Sequence, residues 1–397
     1  MVVINNSKAL PTTEDEGRTT LLEPFPSTGI SYIDYEPLPV SDSPFLLLKG
    51  NGDEVEPGDC IFTFMSVPRG SVFRRRIPAL CNKLFIGSHY GWIFVLDQLS
   101  EPSIFNPFTG QEIPLPSITT IPNIHISYTN GDSSHMRYVY RKWYTNEFLD
   151  YTDEEFHGGI QFQKIITSCA PSSSCNNFTV AAIFDCPECL AFVRAGEAKW
   201  NIVDQDDSYF DLMFCDDGSL LALEYWRELH IFRFNDEGFW VQKMSICTPE
   251  MVYFPHQYLV EDAEGGILLI RRQNNFTEHA KTGEVQVLRL VVNDKSGGKR
   301  WQHIKDLDGG AMFLGTNASL LLQAKEVKGA IQPDCIYFSD DWWDQIPDDN
   351  DREHQHRDIC VYNLRKDTIE PYCPLEIPRY STWPLPIWFH VSSTLAN

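Results

Sequence analysis

Short apolar runs alternate with polar turns along most of this 397-residue chain. The recurring unit is a strand, a turn rich in Gly, Asp or Asn, and a second strand, which is typical of antiparallel hairpins. Residues 190–194 and 200–203 form one such pair, and residues 229–234 and 240–243 form another. No long window carries the i, i+3, i+4, i+7 apolar spacing of an amphipathic helix. The pattern therefore predicts an all-β protein.

The hairpins follow one another in pairs, which gives units of four strands, as in the blades of a propeller. The units lie near residues 45–80, 83–116, 161–205, 208–247, 256–307 and 311–375. The pattern is weakest in the first unit and in residues 117–160, where residues 143–155 suit either a short helix or an insertion loop. We therefore predict one kelch-like β-propeller over residues 45–392, with six blades and with seven as the alternative.

Both ends of the chain differ from this repeating texture. Residues 1–44 are rich in Pro, Ser, Thr and acidic side chains, so we expect a flexible N-terminal tail with one strand around residues 30–35. Residues 393–397 are expected to form a C-terminal tail. The segment 387–391 is apolar and strand-like, so we expect one terminal segment to complete a blade with the other and close the ring.

Charge changes the picture of possible partners. The chain has 55 acidic and 32 basic residues, for a formal net charge of −23. Such a field repels a phosphate backbone, so nucleic acid is not an expected partner. No apolar run approaches the length of a membrane helix, so no membrane association is expected either. A protein partner with a basic patch fits this charge best.

The cysteines indicate the redox state. Eleven of them stand at irregular spacing, and an odd count argues against a disulfide framework. No N-terminal apolar segment resembles a signal peptide. We therefore expect a reduced protein in the cytoplasm or the nucleus. Its four Asn-x-Ser/Thr sequons are then expected to stay unglycosylated; they are Asn5, Asn177, Asn275 and Asn317.

Motifs for catalysis or metal binding are sparse. Cys186 and Cys189 form a Cys-x-x-Cys motif, but no second ligand pair stands at zinc spacing, so a tight turn with two small buried side chains is the favoured interpretation. No nucleophile elbow, P-loop or dinucleotide fingerprint is present. We predict no catalytic residue, no cofactor and no metal.

Two groups of tryptophans have different expected roles. Trp92, Trp200, Trp240 and Trp301 recur at hairpin positions, and repeated placement favours packing between blades, with ligand stacking as the alternative. Trp342 and Trp343 instead lie in an acidic stretch without an apolar flank.

The acidic stretch, residues 339–357, is predicted to be an exposed loop inside the last blade. Because exposed aromatic rings anchor interfaces, Trp342 and Trp343 are the candidate partner-binding residues, with packing on the propeller face as the alternative. The stretch and its flank also contain side chains of metal-ligand type, which we assign to a mobile loop: Asp351, His354, His356 and Asp358.

Several phrases stand in a fixed order along the chain: GSHYGW at 87–92, FNPFTG at 105–110, FLGTNAS at 313–319, IYFSDD at 336–341 and PLPIWF at 384–389. In that order and spacing they resemble the plant F-box-associated KIB-type β-propeller family, a domain of unknown function, over residues 62–389. The resemblance implies a kelch-like propeller that binds a protein partner. In relatives with an N-terminal F-box, it implies a substrate receptor of an SCF-type ubiquitin ligase.

The expected F-box is missing from this sequence. Leu10 and Pro11 are followed by Thr12, Thr13 and Glu14, without the amphipathic helices of an F-box. The favoured hypothesis is therefore a non-enzymatic protein-binding propeller. One alternative is a ligase receptor with a divergent or missing F-box, which would bind a Skp-type adaptor. The other is an enzyme with a site in the propeller channel.

Overall fold

The structure is a computed structural model. It describes residues 33–34, 43–49, 60–67, 72–121, 124–128, 136–141, 148–152, 162–171, 177–184, 189–204, 207–225, 228–234, 240–249, 254–275, 281–292, 298–327, 331–341, 358–372 and 385–391. In these ranges the only helical elements are the short 3-10 helices Pro78–Leu80 and Ile118–Thr120. No helix there has the length and apolar character needed to cross a membrane.

Strands fill most of the described chain. In the first half they are β1 (Ile33–Asp34), β2 (Phe45–Lys49), β3 (Ile61–Ser66), β4 (Val72–Arg76), β5 (Leu84–His89), β6 (Trp92–Leu96), β7 (Pro102–Phe105), β8 (Glu112–Pro114), β9 (Ile124–Tyr128), β10 (Met136–Arg141), β11 (Phe148–Thr152), β12 (Phe162–Thr167), β13 (Thr179–Phe184), β14 (Cys189–Arg194) and β15 (Asn201–Asp204).

In the second half the strands are β16 (Tyr209–Phe214), β17 (Leu220–Glu224), β18 (Glu228–Phe234), β19 (Trp240–Cys247), β20 (His256–Glu261), β21 (Ile267–Asn275), β22 (Lys281–Val292), β23 (Lys299–His303), β24 (Gly310–Leu314), β25 (Leu320–Gln323), β26 (Cys335–Phe338), β27 (Cys360–Asn363), β28 (Thr368–Pro371) and β29 (Ile387–Phe389).

Six sheets form the blades of a β-propeller, as the hairpin pattern predicts. Blade 1 contains β1–β4 and β29, blade 2 contains β5–β8, blade 3 contains β12–β15, blade 4 contains β16–β19, blade 5 contains β20–β23 and blade 6 contains β24–β28. Central strands such as β6 are buried along their whole length, whereas the outer strand β23 is largely exposed. Continuous apolar runs therefore mark strands covered on both faces by neighbouring blades.

The C-terminal strand closes the ring, which confirms the expected pairing of the two chain ends. β29 pairs antiparallel with β2, with Phe45 opposite Phe389 and Leu47 opposite Ile387. The Phe389 ring packs against Phe64 of the same blade and stacks on Phe108 of blade 2. Closure therefore gives β2 a hydrogen-bonded partner on its inner side.

Residues 117–160 differ from the prediction. β9, β10 and β11 form a three-stranded antiparallel sheet outside the six blades. The suggested helix over residues 143–155 is wrong, because β11 lies within it and pairs with β10. Near the N-terminus, β1 pairs in parallel with β4, at the position of the expected strand. Of the rest of the predicted tail, only Ser43 and Pro44 are described, and both are buried directly before β2.

Blade 6 departs from the simple four-strand unit. β24 pairs in parallel with β26, while β25 pairs antiparallel with the other edge of β24. The chain between β24 and β25, residues 315–319, is called the central turn below. It is formed by the FLGTNAS phrase, and its position is described with the functional site.

Two tryptophans pack between blades, as the repeat pattern predicts. The Trp200 Nε1 donates to the carbonyl oxygen of Pro116 at 2.9 Å, and the Trp301 Nε1 donates to that of Cys247 at 3.0 Å. Each acceptor lies at the end of the outermost strand of the preceding blade or just beyond it. Trp92 is buried but opens the second strand of its blade rather than preceding the outermost one. The side chain of Trp240 is outside the described set.

One pair of cysteines is oxidised. A disulfide joins Cys60 and Cys81, whose Cα atoms are 5.1 Å apart. The backbone N–H of Ile77 donates to the carbonyl of Cys60, and this contact brings the two cysteines together at the edge of blade 1. The expectation of a fully reduced chain is therefore wrong for this pair. Sequence spacing alone did not reveal it because the fold, not a local motif, places the two residues side by side.

Candidate functional site

The central turn lies in the propeller channel. The backbone N–H of Ala318 donates to the carbonyl of Ser88 in blade 2 at 2.9 Å. Lys164 of blade 3 donates to the carbonyls of Gly315 at 3.2 Å and Asn317 at 2.7 Å. Because a turn of blade 6 contacts two other blades across the ring, it occupies the centre of the fold.

The turn is held by a buried ion pair. The Lys164 Nζ lies 2.8 Å from Oδ1 of Asp211, with side chains only 3% and 1% exposed. The other oxygen of Asp211 accepts from the backbone N–H of Leu259 at 2.8 Å and from the Ser319 hydroxyl at 3.3 Å. Burial raises the pKa of Asp211, while Lys164 and the backbone N–H of Leu259 oppose that rise. The pair therefore connects blades 3, 4 and 5 to the central turn.

Close packing around the turn requires two glycines of the family phrases. A Cβ on Gly315 would overlap the hydroxyl of Ser339. A Cβ on Gly87 would stand 3.1 Å from Ile165 Cγ2 and 3.3 Å from the carbonyl oxygen of Thr316. The phrases GSHYGW and FLGTNAS therefore meet in space, although more than 200 residues separate them in sequence.

His89 borders the same region. Its Nδ1 accepts the backbone N–H of Thr167 at 3.2 Å. Burial and the nearby Lys164 ammonium lower the pKa of His89 to about 3. The imidazole is thus neutral at physiological pH and acts as a hydrogen-bond acceptor between blades 2 and 3.

One mouth of the channel is acidic. The inner strands β5, β16 and β20 each end in a turn to the second strand of their blade, at the same end of the ring. Tyr90 lies in the first of these turns and is 41% exposed. Asp216 and Asp217 lie exposed in the second, and Glu261 ends the strand before the third. We call Tyr90, Asp216, Asp217 and Glu261 the acidic rim.

The members of the acidic rim influence one another electrostatically. Burial and then Cys169, Asp216 and Glu261 raise the pKa of Tyr90. Burial and Asp216 raise the pKa of Glu261. Burial and Glu261 raise the pKa of the neighbouring Cys215 thiol to about 11. Groups from blades 2, 4 and 5 therefore generate one negative field around an accessible aromatic ring.

The acidic stretch of the last blade begins at the opposite face, directly after β26. Trp342 and Trp343, the predicted partner-binding residues, lie outside the described residues, as do Asp351, His354 and His356. The first three residues of the stretch are described, and the expectation that they are exposed is wrong. Ser339, Asp340 and Asp341 are buried just after the end of β26, where Asp341 forms an ion pair with Arg272 of blade 5.

The predicted metal-ligand types are placed only in part. Asp358 is buried and forms an ion pair with Arg272 as well. Cys189 is buried at the start of β14, and Cys186 lies outside the described residues. Within the described ranges no group of three or more His, Cys, Asp or Glu side chains is arranged to hold a metal ion. The sequence did not predict the roles of Lys164, Asp211 and Arg272, because isolated charges within apolar strands form no recognisable motif.

Comparisons with known proteins identify the fold family. The family model described as KIB1-4 beta-propeller matches residues 64–363. No curated protein matches the chain.

Similar solved structures are distant. The N-terminal domain of Nup159 is 9% identical over 88% of this chain and 87% of that chain, with a TM-score of 0.33. A chain from the S. cerevisiae assembly of Dbp5 with Nup159, Gle1, IP6 and ADP is 10% identical over 70% of this chain and 71% of that chain, with a TM-score of 0.33. Hsv2 of Kluyvelomyces marxianus is 12% identical over 63% and 78% of the two chains, with a TM-score of 0.30. These similarities carry no functional argument.

Proposed function

We propose, given that the chain belongs to the KIB1-4 β-propeller family, that it is a non-enzymatic propeller that binds a protein partner through its loop faces. Propellers commonly mediate protein binding, because their turns vary in sequence while the sheets that hold them stay fixed. The partner is expected to present a basic patch, since the chain has a net charge of −23.

The observation that carries the proposal is the accessible Tyr90 ring inside the acidic rim. Tyrosine is enriched at interfaces because its ring buries a large area at a small entropic cost while its hydroxyl can hydrogen-bond. Carboxylates around the ring attract Lys and Arg side chains of a partner and increase the association rate. Turns from three blades therefore combine an aromatic anchor with a charge of defined sign.

The filled channel supports a binding role over an enzymatic one. Lys164 directs its ammonium to two carbonyls and one carboxylate of the protein itself. The Asp211 carboxylate is likewise occupied by Lys164, Ser319 and backbone N–H groups. Groups committed to the central turn are unsuited to proton transfer with a substrate, which needs a base within reach of the reacting atom.

The proposal is tested with purified full-length protein. Partners are first identified by affinity purification, and binding of each purified candidate is then measured directly for wild type, Tyr90→Ala and Asp216→Asn. We expect Tyr90→Ala to weaken binding by about tenfold or more, and added salt to weaken it further. Asp97→Asn, in the turn between β6 and β7 on the opposite face, is the control and should bind like wild type. Equal affinity of all variants would exclude the acidic rim as the contact.

Trp342 and Trp343 remain a second proposed contact. Aromatic rings in an acidic segment are suited to a basic partner, with both hydrophobic and ionic contributions. The variant Trp342→Ala/Trp343→Ala is compared with the acidic-rim variants in the same binding assay. Loss of binding in the double variant alone would assign the contact to this segment instead.

A ligase receptor is the alternative function, and the family resemblance favours it. In that case the chain should bind a Skp-type adaptor, for which the relatives use an F-box. The residues that would hold a divergent F-box are outside the described part of the chain. Direct titration of purified full-length protein with a Skp adaptor distinguishes the two functions, because a propeller that acts alone should show no saturable binding.

A further inference from the structure

The outermost strand of blade 5, β23, is a basic strand in an acidic protein. The side chains of Lys299 and Arg300 are exposed on it, and that of Lys305 is exposed two residues beyond its end. The strand contains no acidic residue, whereas the whole chain has a net charge of −23. Within the described ranges none of these three cations forms an ion pair. β23 therefore presents a local positive charge that is available to a ligand.

The outer edge of β23 also presents free backbone groups. In the described chain β23 pairs only with β22. The backbone N–H of Ile304 donates to the carbonyl of Val287 at 3.0 Å, in register with the ladder between these two strands. Because hydrogen-bonded pairs alternate along an antiparallel ladder, the N–H and C=O groups of Lys299, Trp301 and His303 point away from β22. Another strand can pair with them.

Blade 1 shows how this fold uses a basic outer strand. Its strand β4 contains Arg74, Arg75 and Arg76. β1 adds to the outer edge of β4 in parallel, with Asp34 opposite Arg74, and Glu36 follows two residues later in the sequence. A basic outer strand of this protein thus accepts an extended acidic segment by strand addition.

Three other outer strands are protected against such pairing. β8 contains Glu112 and ends in Pro114, β28 contains Glu370 and ends in Pro371, and β15 ends in Asp204. Proline removes a backbone donor, and an acidic side chain repels an acidic strand. β23 has neither feature, so its edge is open to a strand of negative charge.

We propose that the outer edge of β23 binds an extended acidic segment of a partner protein by strand addition. Main-chain hydrogen bonds give the affinity, while Lys299, Arg300 and Lys305 select carboxylates. A second copy of this chain is disfavoured, because two β23 strands would bring like charges together. A nucleic acid is disfavoured by the net charge of −23. This contact is separate from the acidic rim, which attracts the opposite charge.

The test uses the full-length protein and a fluorescent peptide, ISYIDYE, which has the sequence of residues 30–36 around β1. The control peptide ISYINYQ replaces both acidic side chains by their amides and keeps the other residues. Fluorescence anisotropy is measured at about 0.1 M salt, where a Debye length of about 10 Å restricts the field to nearby charges. We expect saturable binding of the acidic peptide and at least about tenfold weaker binding of the amide peptide.

Two variants separate the charge from the backbone. Lys299→Glu/Arg300→Glu reverses two exposed charges and should weaken binding of the acidic peptide by at least about tenfold. His303→Pro removes an outward N–H and should abolish binding, while the pairing with β22 persists because proline is tolerated at an outer edge. His303→Gln keeps the N–H and should bind like wild type.

Arg75→Glu is the matched control for the charge reversal. It lies in β4, whose outer edge β1 already covers, so it should leave the affinity unchanged. Loss of binding in Arg75→Glu alone would mean that the peptide replaces β1, and it would overturn the proposal. Thermal melting checks that each variant is folded, and if His303→Pro is not, the charge-reversal variant decides.

Three further outcomes would overturn the proposal. One is no saturable binding by wild type, and another is unchanged affinity in a folded Lys299→Glu/Arg300→Glu protein. The third is a wild-type dimer in sedimentation that His303→Pro dissociates, which would assign the edge to a second copy of the chain. Tyr90→Ala should bind the peptide like wild type, so failure here is distinguishable from failure of the acidic-rim contact.

Discussion

Lys164 of blade 3 and Asp211 of blade 4 form an ion pair of 2.8 Å in the centre of the propeller, where both are almost completely shielded from solvent. Removing one partner of such a pair leaves the other charge buried and uncompensated, which typically costs about 3–5 kcal/mol. We therefore expect Lys164→Met to lower the free energy of unfolding by about that amount. Urea unfolding followed by circular dichroism measures it.

The exposed pair Lys83–Glu112 in blade 2 is the control for that variant. Surface ion pairs contribute about 0–1 kcal/mol, so Lys83→Met should change stability very little. If Lys164→Met and Lys83→Met were equally stable, the ion pair would not be what holds the central turn.

Gly315 is expected to tolerate no side chain. Gly315→Ala should destabilise the protein by about 1–3 kcal/mol or more, because its Cβ would overlap the Ser339 hydroxyl. The second variant Gly315→Ala/Ser339→Ala removes that oxygen and should recover part of the lost stability. Thermal melting of wild type, Gly315→Ala, Ser339→Ala and the double variant measures both effects, and an additive loss in the double variant would contradict the proposed clash.

The C-terminal strand should be essential for stability. Deleting residues 384–397 removes β29, whose three side chains Ile387, Trp388 and Phe389 are all buried. Since each large core side chain contributes about 2–5 kcal/mol, the Tm should fall by at least about 10 °C. Deleting residues 393–397 alone is the control and should leave the Tm unchanged. A long truncation that melts like the full chain would contradict closure through β29.

His89 should make stability depend on pH. Its folded pKa of about 3 is below its ordinary value of 6.5, so the unfolded chain binds a proton that the folded protein does not. The stabilisation is therefore complete above about pH 6.5 and is lost as the pH falls towards 3, by at most about 1.4 kcal/mol per pH unit.

His89→Gln keeps a hydrogen-bond acceptor for Thr167 without titrating. Urea unfolding of both proteins between pH 7.5 and pH 4.5 should give a flatter profile for the variant than for wild type. Parallel profiles would mean that His89 does not carry this pH dependence.

The blades could be predicted from sequence because the strands of each blade follow one another closely along the chain. A hairpin such as β14–β15 or β18–β19 joins neighbouring residues, and its apolar runs and turn residues lie in one short window. The closure by β29 was also predictable, since a ring must pair its two ends. The mixed pairing in blade 6 was not, because an extra strand returns into the channel without a change in the hydrophobic pattern.

The buried charges could not be predicted for a similar reason. Arg272 and Asp358 are 86 residues apart, and Lys164 and Gly315 are 151 apart, so their meeting depends on the assembled ring. Acidic composition made Asp341 look exposed, whereas its burial is made possible by one arginine from another blade. The acidic rim could not be predicted either, since its members come from two turns and one strand end in three different blades.

Hydrogen–deuterium exchange of the full chain with and without its purified partner tests whether the loop faces bind that partner while the centre of the propeller is structural. We expect slower exchange on binding in the turns at residues 90–91, 215–219 and 262–266, or in residues 342–357, and unchanged exchange in the central turn. Protection confined to the central turn, or no protection at either face, would contradict the account.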